Sequence, residues 1–227
     1  MANKMFKSVY QTWNVQTGCE YGCSYCHAKT IAERQKKLNP TGKYKNGFAP
    51  SFWEPDMEKT FSPGKLIFVS FMGDLFGPWV PDEIIQRIID KIRSHPDTDF
   101  LLLTKNPARY HSFSFPPNIY LGTTTETTNG HLIESKAPQP LARLLELSKI
   151  EHPKKFISIE PIMNFDLTTM KAWIRQIMPA IVEVGADNYH NDLNEPPFWK
   201  VELLIAYVRS LGITVNEKPS LERLKNG

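Results

Sequence analysis

The chain has 227 residues, 41% hydrophobic and 11% aromatic, with 27 basic against 24 acidic side chains and a formal charge of +3. This composition suits one α/β domain over 1–227, and a charge so near balance does not by itself mark a nucleic-acid binder. No stretch of about 18 apolar residues exists to span a membrane. The opening Met-Ala-Asn-Lys-Met-Phe-Lys lacks the apolar run of a secretory signal, so a cytoplasmic protein with no membrane contact is expected.

In chain order, the pattern predicts a first strand near 9–15 and a helix over 27–37. Residues 38–64 break the rhythm with Pro, Gly, Lys and aromatic residues and read as a long loop over the barrel mouth, a length that usually signals function. Leu-Ile-Phe-Val-Ser-Phe-Met over 66–72 reads as a buried strand. Pro81-Asp82-Glu83 then opens a helix with Ile84, Ile85, Ile88, Ile89 and Ile92 on one face, its first turn suited to a helix N-terminus. Strands follow at 100–104, 119–124, 156–159, 181–184 and 213–215. Between them fall a short helix at 107–111 and longer ones at 140–149, 167–177 and 197–210. Strict alternation of this kind implies parallel strands with helices outside and favours a barrel or doubly wound sheet, here read as a partial (β/α)6 TIM-type barrel.

The three cysteines fall within eight residues, in Thr17-Gly18-Cys19-Glu20-Tyr21-Gly22-Cys23-Ser24-Tyr25-Cys26-His27, and none follows in the remaining 201 residues. An odd, clustered set is no disulfide framework and points to metal. Thiolates at C-x3-C-x2-C spacing can each take one iron of a [4Fe-4S] cubane and leave the fourth iron open. The competing reading is zinc held by Cys19, Cys23, Cys26 and His27. Against it, His27 adjoins Cys26, and neighbouring residues rarely reach one tetrahedral ion. On that alternative the metal braces a nucleic-acid or protein binding module without catalysis.

Barrel enzymes carry their chemistry at the C-terminal ends of the strands. Polar residues gather at those ends: Asp74, Thr104 and Lys105, Thr123 to Glu126, Glu160, Asp187, and Glu217 with Lys218. A separate basic run, Lys29, Arg34, Lys36, Lys37, Lys43 and Lys45, reads as a solvated helix face and loop.

The cysteine spacing is that of the radical S-adenosylmethionine superfamily. Further motifs recur in order: Asn46-Gly47-Phe48-Ala49-Pro50, Phe68 to Phe76, Leu103-Thr104-Lys105-Asn106-Pro107, Ile159-Glu160-Pro161 and Val184-Gly185-Ala186-Asp187. Together they resemble a phage and bacterial radical S-adenosylmethionine-like family known as a domain of unknown function, distantly similar to spore photoproduct lyase. The likeness covers nearly the whole chain. It departs in its narrower first cysteine spacing, and in having Gly185-Ala186-Asp187 where the family often has a Gly-Gly-Glu-like run.

The resemblance implies an enzyme that uses a [4Fe-4S] cluster on Cys19, Cys23 and Cys26 to cleave S-adenosyl-L-methionine. The 5′-deoxyadenosyl radical so formed abstracts hydrogen from a substrate. Tyr25 would lie against the adenine. The Met72-Gly73-Asp74 segment would receive the ammonium of the methionine moiety, Lys105 its carboxylate, and Thr124 or Glu126 the ribose hydroxyls. Glu160 would face ribose or substrate. A flavodoxin- or ferredoxin-like donor would supply the electron. With no spare thiol, a copy of the spore photoproduct repair reaction is not expected. Lys43 and Lys45, interleaved with Tyr44, Phe48, Phe52 and Trp53, combine charge with stacking surface and favour a nucleic acid or nucleotide as substrate.

Overall fold

The computed structural model describes residues 6, 8–132, 135–189 and 191–225. Most of the opening heptapeptide read for a signal lies outside them. Seven strands form one parallel sheet in sequence order: β1 (Gln11–Trp13), β4 (Leu66–Val69), β5 (Asp99–Thr104), β6 (Ile119–Thr124), β7 (Lys155–Ile159), β8 (Ile181–Val184) and β9 (Thr214–Glu217). The sheet has two free edges, β1 and β9, and curls into the expected partial α/β barrel. Its helices are α1 (His27–Leu38), α2 (Asp82–Arg93), α3 (Pro140–Ser148), α4 (Leu167–Ile177), α5 (Phe198–Ser210) and the short α6 (Glu222–Lys225).

Side chains alternate across each strand, and the two faces build two cores. Ile67, Val69, Phe100, Leu102, Ile119, Leu121, Ile157, Ile159, Val182 and Val184 face the helices. There they meet Ile85, Ile88, Ile89 and Ile92 of α2 and Val201, Leu204, Ile205 and Val208 of α5, each set one stripe at helical spacing. The other face lines the lumen, where Phe68, Leu101 and Phe156 enclose Phe6. Phe6 stacks on Phe68 at 5.3 Å between ring centroids and lies 5.4 Å from Phe156, so a residue that precedes β1 fills the centre of the curl.

The short helix expected at 107–111 is present, and one expectation needs correction. The β5–β6 crossover is a 3-10 helix, Pro107–Ser112, tied down by the buried Tyr110 hydroxyl, which donates to the carbonyls of Leu102 (2.9 Å) and Gly122 (2.8 Å). The 38–64 segment is not a structureless loop. It contains β3 (Ser51–Phe52), paired antiparallel to β2 (Gln16–Thr17), and a 3-10 turn, Glu54–Glu58. The Trp13 indole donates to the Asp56 carbonyl at 2.8 Å and the Trp53 amide to the Val15 carbonyl at 2.8 Å, so polar backbone groups that a free loop would leave to water are paired. Among the described residues, no helix is long and apolar enough to cross a membrane.

Candidate functional site

The thiol segment leaves β2 at the C-terminal end of the sheet, clasped from two sides. The Gly18 amide donates to the Met72 carbonyl at 2.8 Å, and Gly18 pairs with Gly73 in a parallel bridge, one residue out of the β1–β4 register. Opposite, the Cys19 amide donates to the Phe48 carbonyl at 3.2 Å. Gly18 needs to be glycine. Its φ is +82°, and a Cβ there would stand 2.3 Å from the Ala49 carbonyl oxygen. Past it, Tyr21 packs edge-on against Trp79 at 4.7 Å, and the Cys26 amide closes a turn on the Cys23 carbonyl.

All three cysteines are free and half-buried. Burial raises the Cys19 thiol pKa, and the charges of Asp74, Cys23 and Cys26 raise it further. Burial also raises Cys26, the residue that opens α1, against the pull of the Lys29 and Ala28 amides directed at its sulfur. The Ser135 hydroxyl lies 3.2 Å from the Cys23 sulfur. Among the described residues, no three His, Cys, Asp or Glu side chains converge to hold a single metal ion. His27 stacks on Tyr189, ring centroids 3.5 Å apart and planes 9° from parallel.

Beside the thiol loop, one hydrogen-bond network joins strand ends to helices. Lys105 Nζ donates to the Tyr25 hydroxyl (3.0 Å), to Thr124 Oγ1 (2.9 Å) and to Glu126 Oε1. The Tyr25 hydroxyl donates to the same Glu126 oxygen at 2.9 Å, and Arg143 of α3 donates to Glu126 Oε2 at 2.9 Å. Neither Glu126 nor Arg143 is more than 1% exposed. Burial by itself would raise the Glu126 pKa, but the Lys105 and Arg143 charges outweigh it and hold the carboxyl far below its ordinary value.

Across the lumen, Glu160 pairs with Lys218, whose ammonium lies 4.6 Å from the centre of the Phe6 ring. Below them Glu183 points inward from the middle of β8. Its Oε1 accepts from Ser8 (3.1 Å) and Asn216 (2.9 Å), while its buried Oε2 has no partner. Burial raises the pKa of both Glu160 and Glu183, and Glu160 adds to the rise at Glu183.

The family model described as "Protein of unknown function (DUF5131)" matches residues 5–195. The chain belongs to that family. No curated protein is similar enough in sequence to match. Among solved structures, this DUF5131 chain is similar to spore photoproduct lyase. A variant of that enzyme with dinucleoside spore photoproduct aligns at TM-score 0.67 and 11% identity, over 96% of this chain and 80% of the other. A second complex with the same dinucleoside aligns at 0.65 and 10%, again over 96% and 80%. A further variant with bound AdoMet and the dinucleoside aligns at 0.56 and 11%, over 90% and 63%. At such identities the likeness is one of fold.

In the DUF5131 chain, Met72 and Gly73 border the thiol loop, and Tyr25, Lys105, Thr124 and Glu126 form the adjoining network. One residue lies otherwise than the resemblance implies. Asp74 is 5% exposed and spends its oxygens on Thr104 Oγ1 (2.6 Å) and the Phe76 and Lys105 amides (3.1 and 2.9 Å), because it ties β4 to β5. Glu160 lies with Lys218 rather than with the Lys105–Glu126 network. Asp187 caps its own loop, accepting from the amides of Tyr189 and Asn191. Sequence reading missed Arg143 and Glu183. Each left a signal: a charge on the apolar stripe of a helix, beside Leu144 and Leu147, and a carboxylate between Val182 and Val184 in a short strand.

Proposed function

We propose that this protein is a radical S-adenosylmethionine enzyme, with Cys19, Cys23 and Cys26 holding a [4Fe-4S] cluster. The observation that carries the reading is the clasp of a three-thiol loop to Gly73, directly beside the Tyr25–Lys105–Thr124–Glu126 network at one end of a partial barrel. The donor set fits the group. Three free thiols, with Cys23 and Cys26 near enough to raise the pKa of Cys19, yet not convergent on one point, suit a cluster that takes one thiolate per iron better than a mononuclear zinc. His27, the fourth ligand of the zinc alternative, is committed to Tyr189.

When bound, such a cluster supplies the electron that cleaves S-adenosylmethionine to a 5′-deoxyadenosyl radical. The protein's own residues bind and orient. Lys105 is the cation beside the thiol loop and pairs with the methionine carboxylate, while the Met72–Gly73 backbone receives the ammonium. Asp74 acts through the Lys105 amide that it holds. Tyr25 offers its ring to the adenine, and Thr124 its hydroxyl to the ribose in exchange for one of its present partners, Glu126, Lys105 or Arg143. Glu126, buried and with both oxygens engaged, fixes Lys105 and Tyr25 rather than touching a ligand. Glu160, Lys218 and Tyr189 lie across the lumen, on the half left for substrate. A nucleic acid or nucleotide is the substrate class that the spore photoproduct lyase complexes and the aromatic 44–53 segment favour. The basic partners there are fewer than the sequence suggested, since Lys43 is held by Asp56 at 2.5 Å.

Anaerobic reconstitution with iron and sulfide tests the reading. A brown protein with about four irons per chain is expected, releasing 5′-deoxyadenosine from S-adenosylmethionine when dithionite is added. The Cys19→Ala, Cys23→Ala, Cys26→Ala triple variant should lose both iron and activity. A colourless, zinc-loaded protein, or full iron retention in the triple variant, overturns the assignment.

A further inference from the structure

We infer that the outward face of α1 is the docking surface for a small acidic protein that delivers one electron at a time. The inference rests on the reading above, since an electron must reach the group held by Cys19, Cys23 and Cys26. Residues 27–45 carry six basic side chains and one acidic, Glu33, a net +5. The whole chain carries +3, so its other residues together stand at −2. The basic charge is therefore gathered in one place. Lys29, Arg34, Lys36 and Lys37 are all exposed on α1, and none of them makes an ion pair among the described residues.

Elsewhere several exposed cations are matched, and those without an ion pair among the described residues, Lys65, Lys136 and Arg175, stand singly along the chain. Arg87 pairs with Glu54, Arg93 with Asp90, Lys149 with Glu146 and Arg209 with Glu217. Glu33, the one acid on α1, is half-buried and turned to the Phe48 amide at 3.1 Å. An unmatched cationic face invites a partner of opposite charge, which it would steer and orient on encounter.

Position names the kind of partner. Cys26 is the residue that opens α1, and Lys29 stands three residues on, about 4.5 Å along the axis. A protein seated on this face comes close to the thiol loop without entering the lumen. A single nucleic-acid strand wants aromatic platforms beside its phosphate contacts. Yet α1 has no Phe, Tyr or Trp, and its one ring, His27, is stacked on Tyr189. The electron leaves the carrier, which is oxidised by one unit, for the thiolate-held group, which is reduced by one. No atom is transferred.

The test uses a flavodoxin as the probe, with binding read from its flavin fluorescence. Binding to the reconstituted protein should weaken at least tenfold between about 50 and 300 mM salt. The variant Lys29→Glu, Arg34→Glu, Lys36→Glu, Lys37→Glu should lose at least tenfold in affinity at low salt, whereas Lys149→Glu, at the C-terminal end of α3, should bind as the parent does. Circular dichroism and iron content check that the four-site variant is folded and loaded, and Lys29→Gln with Lys36→Gln gives a milder version of the same loss. Dithionite bypasses docking, so deoxyadenosine release with dithionite should be equal in the parent and in Arg34→Glu, Lys36→Glu, Lys37→Glu, a variant that spares Lys29 because its amide is directed at the Cys26 sulfur. Unchanged flavodoxin affinity in the four-site variant overturns the inference, as does a loss confined to a single-stranded oligonucleotide. Failure of dithionite-driven release in the parent instead sinks the radical reading and leaves the binding result to stand by itself.

Discussion

Glu126 is ionised although none of its surface reaches solvent, because Lys105 and Arg143 offset the cost of burying its charge. Removing that carboxylate strands Arg143, itself 1% exposed, without its counter-charge. Glu126→Gln should therefore cost about 3–5 kcal/mol, measured by urea unfolding at neutral pH. The sign with pH follows from the direction of the shift. A carboxyl depressed in the fold stabilises fully above its unfolded pKa of 4.5 and loses that contribution as the pH falls below it, so the parent should destabilise more steeply in acid than Glu126→Gln does. Glu183 behaves in the opposite sense. Burial raises its pKa, so the fold favours its protonated form, and stability is lost as the pH rises from 4.5 through the folded value. Thermal melts of Glu183→Gln should match the parent near pH 4.5 and gain on it toward pH 8. A constant difference across that range would show that Glu183 does not titrate in this way.

At the scale of elements, the thiol loop is held by backbone rather than by its own side chains. Gly18 shows this most directly, since a methyl group there meets the Ala49 carbonyl oxygen and carbon and the Pro50 nitrogen. Gly18→Ala should cost about 2–3 kcal/mol, the sum of a strained left-handed residue and a clash with main chain that has little room to yield. It should also reduce iron uptake on reconstitution. Gly22→Ala is the control. Its φ is +64°, but nothing lies within 4 Å of the added carbon, so it should cost about 1 kcal/mol and keep its iron. Equal iron loss in both variants would mean that loop flexibility, not the clasp to residues 48 and 73, prepares the site. Helix α1 belongs to the same unit, because its first turn directs the Ala28 and Lys29 amides at the Cys26 sulfur.

For the molecule as a whole, closure of the curl depends on Phe6. Its ring fills the lumen between Phe68 and Phe156 and underlies Lys218, so Phe6→Ala should open a cavity costing about 3–5 kcal/mol in chemical unfolding. A loss below about 1 kcal/mol would show that the lumen collapses around the gap. Periodicity alone determined most of the architecture. Ile119–Thr124, Leu167–Ile177 and Ile181–Val184 have the boundaries that their hydrophobic patterns imply, because a strand or amphipathic helix is specified by neighbours a few residues apart. The cysteine spacing likewise placed the thiols on one loop, since ligands so close in sequence need no distant element to bring them together. Tertiary structure decided what depends on distant partners. It committed Asp74 to Thr104, Glu126 to Arg143, Glu160 to Lys218 and Lys43 to Asp56, pairs separated by 13 to 58 residues whose meeting depends on how the sheet curls. It also turned the 38–64 segment from a loop into a brace for the thiols, because β3 finds its partner strand only after the chain has folded back on β2.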